Sequence, residues 1–363
     1  MKRRLLVSGD RADFTTLTLD LDKKVLGVNA NYPGPFNVSW VELSSSHGDV
    51  DRLVGLSEGI ESGLLYTFEI DHSQKTCKIT SQQTTLGAPA HFITLHDRSA
   101  LALGTYLGGS VALYPVSIAE KAGLLLSNDP RTELLPEFPY KLVGHGPNED
   151  LGSDRVWILR RLHMNLEICG WLQCPPGTGS RHAKFTPDEK IMYVIGELSH
   201  TVVAFDLSDC PAEGIQPIEG FAPNIIPPSV HPDHQFMMDS AELCIHPNIP
   251  NVLYVSNRWE RHIAERETHL ENVPKELPSG DAIAIILLSN DGRKVQDIEF
   301  VRTNLDTIRG MRLSEDGNYI VLSGQEGGGV EIYGISGEKG NVWTLVASLN
   351  ENLESGIKHA IWL

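Results

Sequence analysis

A repeated unit constrains this chain more than any other feature. From residue 39 the runs SWVEL, RLVGLSEG and GLLYTFEI follow one another across polar turns. Each run has the β-branched, aromatic and leucine content of a strand, and the turns carry Gly, Ser, Asp and Asn. The same order returns at His91 (HFITLHDRSALALGTYLGGSVALYPV), Arg181 (RHAKFTPDEKIMYVIGELSHTVVAF), Ala241 (AELCIHPNIPNVLYVSNR) and Arg309 (RGMRLSEDGNYIVLSGQEGGGVEIYGI). The terminal KHAIW repeats the first strand alone, while RRLLVSGD and FTTLTLDLD near the N-terminus match later strands. The two ends are therefore expected to complete one unit.

Successive first-strand anchors, Ser39, His91, Arg181, Ala241, Arg309 and Lys358, lie 52, 90, 60, 68 and 49 residues apart. Periods of this size with about four strands per unit mark a β-propeller, whose radial closure protects the sheet edges. Because the 90-residue interval must hold two units, the count is seven. The expected fold is all-β: a seven-bladed β-propeller forming a single domain over residues 1–363, closed by pairing of the N- and C-terminal strands.

The long interval is nevertheless short. The single intervals average about 57 residues, so two units need about 114, and roughly 24 are missing. The segment DLGSDRVWIL, from Asp150, reads as the second turn and third strand of a unit, yet PEFPYKLVGHGPNE before it holds no pair of strands. The third blade is expected to lack its inner half. The charged stretch 259–277 is the one segment able to wind a helical turn or two, and with Pro274 inside it reads as a loop insertion after a strand.

Composition narrows the partners. With 41% hydrophobic and 21% charged residues the chain is that of a folded protein. A formal net charge of -17 repels nucleic acid and anionic membranes at long range, while leaving room for a local cationic pocket. Five cysteines without a CxxC pair indicate neither a disulfide framework nor a zinc knuckle. The N-terminal MKRRLLVSGD is too short in apolar residues for a signal core, and no run approaches the ~18 of a membrane span, so a cytoplasmic location is expected.

In a propeller the first strands line a central channel, so the starts of first strands and the ends of second strands bring different blades together. The second-strand ends are Glu58, Tyr106, Asp150, Glu197, Arg258 and Gln325. Charge concentrates at one rim. Salt bridges between blades would account for it structurally. The functional reading makes Arg181, Arg258 and Arg309 fork-shaped donors to a carboxylate, phosphate or developing oxyanion, with Glu197 or a nearby histidine moving a proton. His91, placed at an anchor, is expected to face the Arg181 rim. His182 and His359, one residue further on, should be turned away by strand alternation and serve packing.

Other motif classes are missing: the chain has no GxSxG elbow, HExxH or Walker loop, and GQEGGGVE is a strand-linking turn without a helix after it. His231, His234, His246 and His262 lack metal-ligand spacing. Neither a metal nor a cofactor is called for, although Glu58, Glu197 and Glu242 meeting near the channel would suit a metal-dependent alternative.

The stretches GSRHAKFTPDEKIMYVIGELSHTVVAF and SAELCIHPNIPNVLYVSNR resemble the seven-bladed lactonase family, which includes bacterial-type 6-phosphogluconolactonase and fungal carboxy-cis,cis-muconate cyclase. The likeness covers nearly the whole chain. It implies a metal-independent site in the central channel that opens or closes a lactone ring on a small anionic substrate. Two arginines and a glutamate of the family site map by motif to Arg181, Arg258 and Glu197 as catalytic residues. His91, Arg309, Gln325 and Glu242 complete the expected substrate-binding set. The family's histidine, on the first strand of the third blade, has no counterpart; it belongs where the repeat spacing falls short, and His145 lies nearby. Either a transcript lacking a coding piece or a paralogue that has lost the motif would produce this pattern. The expected function is a lactonase on a sugar-acid or muconate-type lactone, by hydrolysis or cycloisomerisation. The alternative is a catalytically impaired propeller that binds a ligand or protein partner.

Overall fold

A computed structural model describes the chain apart from residues 86, 106–108, 120–122, 128–131, 135–153 and 351–352. The described strands form seven sheets around one axis, as the repeat predicts. Blade 1 is β4 (Val38–His47), β5 (Val50–Ser57), β6 (Leu64–Asp71) and β7 (Thr76–Thr84). Blade 2 is β8 (Pro89–Thr94), β9 (Ala100–Thr105), β10 (Val111–Ala119) and β11 (Gly123–Leu126), with β12 (Thr132–Leu134) also on β10. Blade 4 is β15 (Ser180–Phe185), β16 (Ile191–Gly196) and β17 (Val202–Asp206). Blade 5 is β19 (Asp239–Ile245), β20 (Val252–Arg258), β21 (Ala282–Leu288) and β22 (Val295–Arg302). Blade 6 is β23 (Asp306–Leu313), β24 (Tyr319–Gly327), β25 (Val330–Ser336) and β26 (Val342–Leu349).

Blade 7 closes the ring. The C-terminal β27 (Ile357–Trp362) is its inner strand and pairs antiparallel with β1 (Lys2–Gly9), which is followed by β2 (Asp13–Asp20) and β3 (Val25–Pro33). Leu5 stands opposite Trp362 and Val7 opposite Ala360, joining the two ends of the chain by a sheet ladder.

Blade 3 is described in its outer part: the hairpin of β13 (Arg155–Leu162) and β14 (Asn165–Gln173), with the short β18 (Glu213–Ile215) parallel to β14. The run RVWIL does form a strand, after a turn at Asp154. The inner half of this blade, with Asp150 and His145, lies outside the described residues, as does Tyr106. The insertion 259–277 opens with an α-helix, Glu260–Arg266, and a 3-10 turn, Pro232–Met237, precedes β19.

Packing explains the radial order. Alternate side chains of each inner strand pair point to either flank of the blade, and apolar clusters fill the gaps between neighbours. Tyr193, Ile195, Leu253, Val255, Ala284 and Ile286 pack blade 4 on blade 5. Tyr254, Ile283, Met311, Ile320 and Leu322 pack blade 5 on blade 6. A polar tie recurs in both gaps: Tyr193 donates to the Gly292 carbonyl at 2.7 Å and Tyr254 to the Gly340 carbonyl at 2.7 Å. Both glycines have positive φ, and a Cβ would meet the tyrosine hydroxyl at 2.5 Å and 2.7 Å, so turn shape and close approach both require glycine.

Candidate active site

Every described first strand carries a β-bulge at one position, and it is the anchor of the repeat. The extra residue is Ser39 in β4, Arg181 in β15, Arg309 in β23 and Lys358 in β27, and in β19 Ala241 and Glu242 share one partner. In β8 it is Ala90, not His91. A bulge breaks strand alternation and re-aims the side chains beside it. Successive residues of described first strands, such as Arg181 and His182 or Lys358 and His359, therefore both reach the axis, in two layers.

The first layer is the charged rim. Arg258 Nη2 donates to Glu197 Oε1 and, at 2.9 Å, to the Ser240 carbonyl, and it lies 3.4 Å from Asp239 Oδ2. Arg181 Nε donates to the Ala241 carbonyl at 3.0 Å, and its Nη1 stands 3.9 Å from Glu197 Oε2. Across the mouth, Arg309 donates to Glu58 at 2.9 Å and to Gln325 at 3.4 Å. Lys358 donates to Asn37 at 2.6 Å and bridges Asp10 at 2.8 Å and Glu58 at 3.1 Å. Gln325 in turn donates to Asp10 at 3.2 Å.

The electrostatics follow from the contacts. Burial works to raise the Glu197 carboxyl, but Arg181, Arg258 and Arg309 outweigh it and hold it below its ordinary value. Burial pushes Asp239 up to about 6, with the Glu197 charge acting the same way against Arg258 and Arg181. Two neighbouring carboxyls thus differ in proton affinity because one receives the guanidinium hydrogens and the other does not.

The second layer is apolar and imidazole-rich. The Trp40 ring lies 4.0 Å from the His91 ring, 4.4 Å from His359 and 5.8 Å from His182, and His91 lies 5.3 Å edge-on from His182. These four side chains come from four blades, which places them on the axis. Arg312 stacks over Trp40 at 4.3 Å. His182 Nε2 stands 3.3 Å from Glu242, and His359 Nε2 donates to the Val41 carbonyl at 3.2 Å. Burial holds His91 well below its ordinary value, lowers His182 although Glu242 works to raise it, and brings His359 down to about 3.

This corrects two expectations. His91 follows the bulge instead of occupying it, so it belongs with the indole and imidazoles and not with the Arg181 rim. His182 and His359 are not turned away from the channel; the bulge brings them onto the axis, where they do pack. Glu242 joins this inner layer as the partner of His182. Arg181, Glu197, Arg258, Arg309 and Gln325 converge on the rim. Among the described residues no group of three or more His, Cys, Asp or Glu has a metal-binding arrangement, and Glu58, Glu197 and Glu242 serve different partners.

Beyond Asp10, Asn37, Trp40 and Arg312, two residues that bear on the rim arginines were not singled out from the sequence. Asp239 stands opposite Arg258 in the β19–β20 ladder, a cue available once the repeat is aligned. Asp281, fully buried ahead of β21, is the other. Its Oδ2 accepts from Trp259 N at 3.1 Å and Thr307 N at 2.7 Å, and its Oδ1 accepts from Glu260 N at 2.8 Å. Trp259 follows Arg258 and Thr307 precedes Arg309 by two, and both hold left-handed backbones, φ 81° and 59°. One carboxylate therefore clamps the strained backbone beside two rim arginines. Burial pushes its carboxyl up to about 7 against the pull of the three N–H donors.

Fold and site together define a class, a seven-bladed propeller with a charged rim on its axis next to a packed indole and imidazole layer. The chain belongs to the lactonase family of seven-bladed β-propellers, whose model matches residues 7–129 and 147–353. The interruption in the match falls where the repeat spacing is short. The chain is 27% identical over 357 residues to the "Probable 6-phosphogluconolactonase" of Arthroderma benhamiae, covering 90% of this chain and 81% of that one. Its fold is similar to that of a Lactobacillus plantarum protein (TM-score 0.75, 18% identity, all of both chains). It is also similar to a periplasmic gluconolactonase of Pseudomonas aeruginosa (TM-score 0.72, 16% identity, 100% and 99% covered).

Proposed function

We propose that the protein hydrolyses a small anionic lactone of the sugar-acid type at the axial rim. The observation that carries this reading is the pairing of Arg181 with Glu197. Nε of Arg181 is anchored on the Ala241 carbonyl, while its terminal nitrogens make no hydrogen bond among the described residues and face Glu197 Oε2 across 3.9 Å. That gap is too long for a hydrogen bond, so donor fork and acceptor both retain capacity for a third partner.

Ring opening needs three things. A donor must stabilise the oxyanion that forms at the carbonyl, and Arg181 presents a preorganised fork for it. A base must take a proton from the attacking water, and Glu197 is kept ionised by three guanidinium groups for that task. Cations must hold the anionic substituent, and Arg258, Arg309 and Lys358 ring the same mouth. The name of the Arthroderma relative supports a phosphorylated sugar-acid lactone; a muconate-type cyclisation is a different step, in which a substrate carboxylate adds to a C=C bond and the neighbouring carbon gains a proton.

One observation favours the second reading, a propeller that binds without turnover: Arg258, Arg309 and Lys358 already have carboxylate partners. The test is ring opening of 6-phosphogluconolactone, unphosphorylated aldonolactones and a muconolactone by the wild type, Arg181→Ala and Glu197→Gln. The lactonase reading expects losses of about 10²-fold or more in kcat for both variants. Equal rates in all three proteins would end it.

A further inference from the structure

The rim holds a second carboxyl whose surroundings differ from those of Glu197. Arg258 Nη2 has two hydrogens, and the shorter contacts take both: Glu197 Oε1 and the Ser240 carbonyl at 2.9 Å. Asp239 Oδ2 is left as the third neighbour of the same nitrogen, at 3.4 Å. Asp239 accepts no hydrogen bond from any described residue, although it stands directly opposite Arg258 in the strand ladder. Its side chain is 18% exposed and that of Glu197 15%, so both are reachable from the mouth of the channel.

A carboxylate next to another negative charge, partly desolvated and without a donor, is better accommodated with its proton on. Such a group has a proton to give. Neighbouring carboxyls driven apart in proton affinity divide acid and base work between them.

We propose that Asp239 is the general acid of this site, donating its proton to the ring oxygen of the lactone as the acyl carbon–oxygen bond breaks. The proposal rests on the lactonase reading above and adds the group that completes the proton balance. Water adds to the carbonyl carbon as Glu197 takes its proton, and the electron pair of the carbonyl moves onto the oxygen facing Arg181. When the tetrahedral intermediate collapses, that pair re-forms the carbonyl and the ring oxygen leaves as an alcohol carrying the Asp239 proton. Glu197 then releases a proton to solvent and Asp239 takes one up, so the site is restored and the net reaction is lactone plus water to hydroxy acid. The proton affinity of Asp239, raised by burial, supports the same division of labour.

The full chain is assayed against two substrates across pH 5 to 8.5: 6-phosphogluconolactone, whose ring opening expels an alkoxide, and a carboxylated aryl lactone, whose phenolate leaves without help. The proposal expects Asp239→Asn to lower kcat by about 10²-fold on the sugar lactone, to change KM less than threefold, and to spare the aryl lactone. It also expects the wild-type decline in kcat at alkaline pH to vanish in Asp239→Asn and to return, with part of the rate, in Asp239→Glu. Thermal melts of both variants check folding, and the spared aryl lactone is an internal control for it. A wild type that opens lactones while Asp239→Asn keeps its rate and pH profile overturns this assignment and leaves the lactonase reading standing. A wild type inactive on every lactone removes both.

Discussion

Replacing Asp281 by asparagine tests whether the rim is held by its scaffold. The carboxylate accepts three backbone N–H groups through two oxygens, at 3.1, 2.7 and 2.8 Å. An amide has a single acceptor oxygen. If that oxygen keeps the Trp259 and Thr307 bonds, the amino group faces Glu260 N–H and leaves a buried donor unmatched, at a cost of about 1–3 kcal/mol. The two surviving bonds lose their charge assistance, which adds roughly 1 kcal/mol. For a chain of 363 residues, a destabilisation of about 2–4 kcal/mol corresponds to a fall in Tm of roughly 3–5 °C. Trp259 and Thr307 then relax from their left-handed conformations, moving Arg258 and Arg309. Displacements approaching 1 Å at a catalytic group cost up to about 10²-fold in rate, so kcat/KM should drop by at least tenfold. The measurements are thermal unfolding and lactone turnover at pH 8, where the carboxylate is ionised. An Asp281→Asn protein melting within a degree of the wild type with unchanged kcat/KM would refute the clamp.

Further outcomes follow from the other contacts. His359 is held near 3 when folded and titrates near 6.5 unfolded, so protons bind the unfolded chain preferentially between those values, and stability should fall as pH drops below about 6.5. His200, brought down to about 4 by burial and then Arg258, acts in the same direction. Urea unfolding at pH 7 and pH 4.5 should show this slope, and His359→Gln, which keeps a donor for the Val41 carbonyl, should flatten it. Tyr254→Phe removes a buried hydroxyl bonded to Gly340 and should cost about 1 kcal/mol in urea unfolding with lactone turnover unchanged. Arg181→Lys keeps the charge but loses the fork and the Nε anchor on Ala241, so it should recover under a tenth of the wild-type kcat while Tm stays within a few degrees.

The propeller was legible in the sequence because each blade repeats the same strand and turn chemistry, and the spacing from Ser39 to Lys358 counts the blades. The ring closure was legible because KHAIW lacks the strands that RRLLVSGD and FTTLTLDLD supply. Arg181, Glu197 and Arg258 were legible as charges at equivalent repeat positions. The layer assignment of His91, His182 and His359 was not. Alternation assumes a regular strand, and a bulge adds one residue without a mark in the sequence. Asp281 escaped notice for a different reason: its partners are backbone N–H groups at the start of the Glu260–Arg266 helix and of β23, which only the assembled blades 5 and 6 bring within reach. Asp239 sits between, since its partner Arg258 is in the same blade and a register drawn on paper would have paired them.

The Trp40 layer gives the axis a floor. His91, His182 and His359 wedge around the indole, Arg312 caps it, and Glu242 ties His182 in place. On the proposed lactonase reading, substrate binds and product is released at the charged rim that adjoins this layer. An acid formed beside Arg181, Arg258, Arg309 and Lys358 would be held by their charge. On that reading, competitive inhibition by the hydroxy acid is the expected outcome in initial-rate assays, with turnover at high flux governed by departure as much as by ring opening.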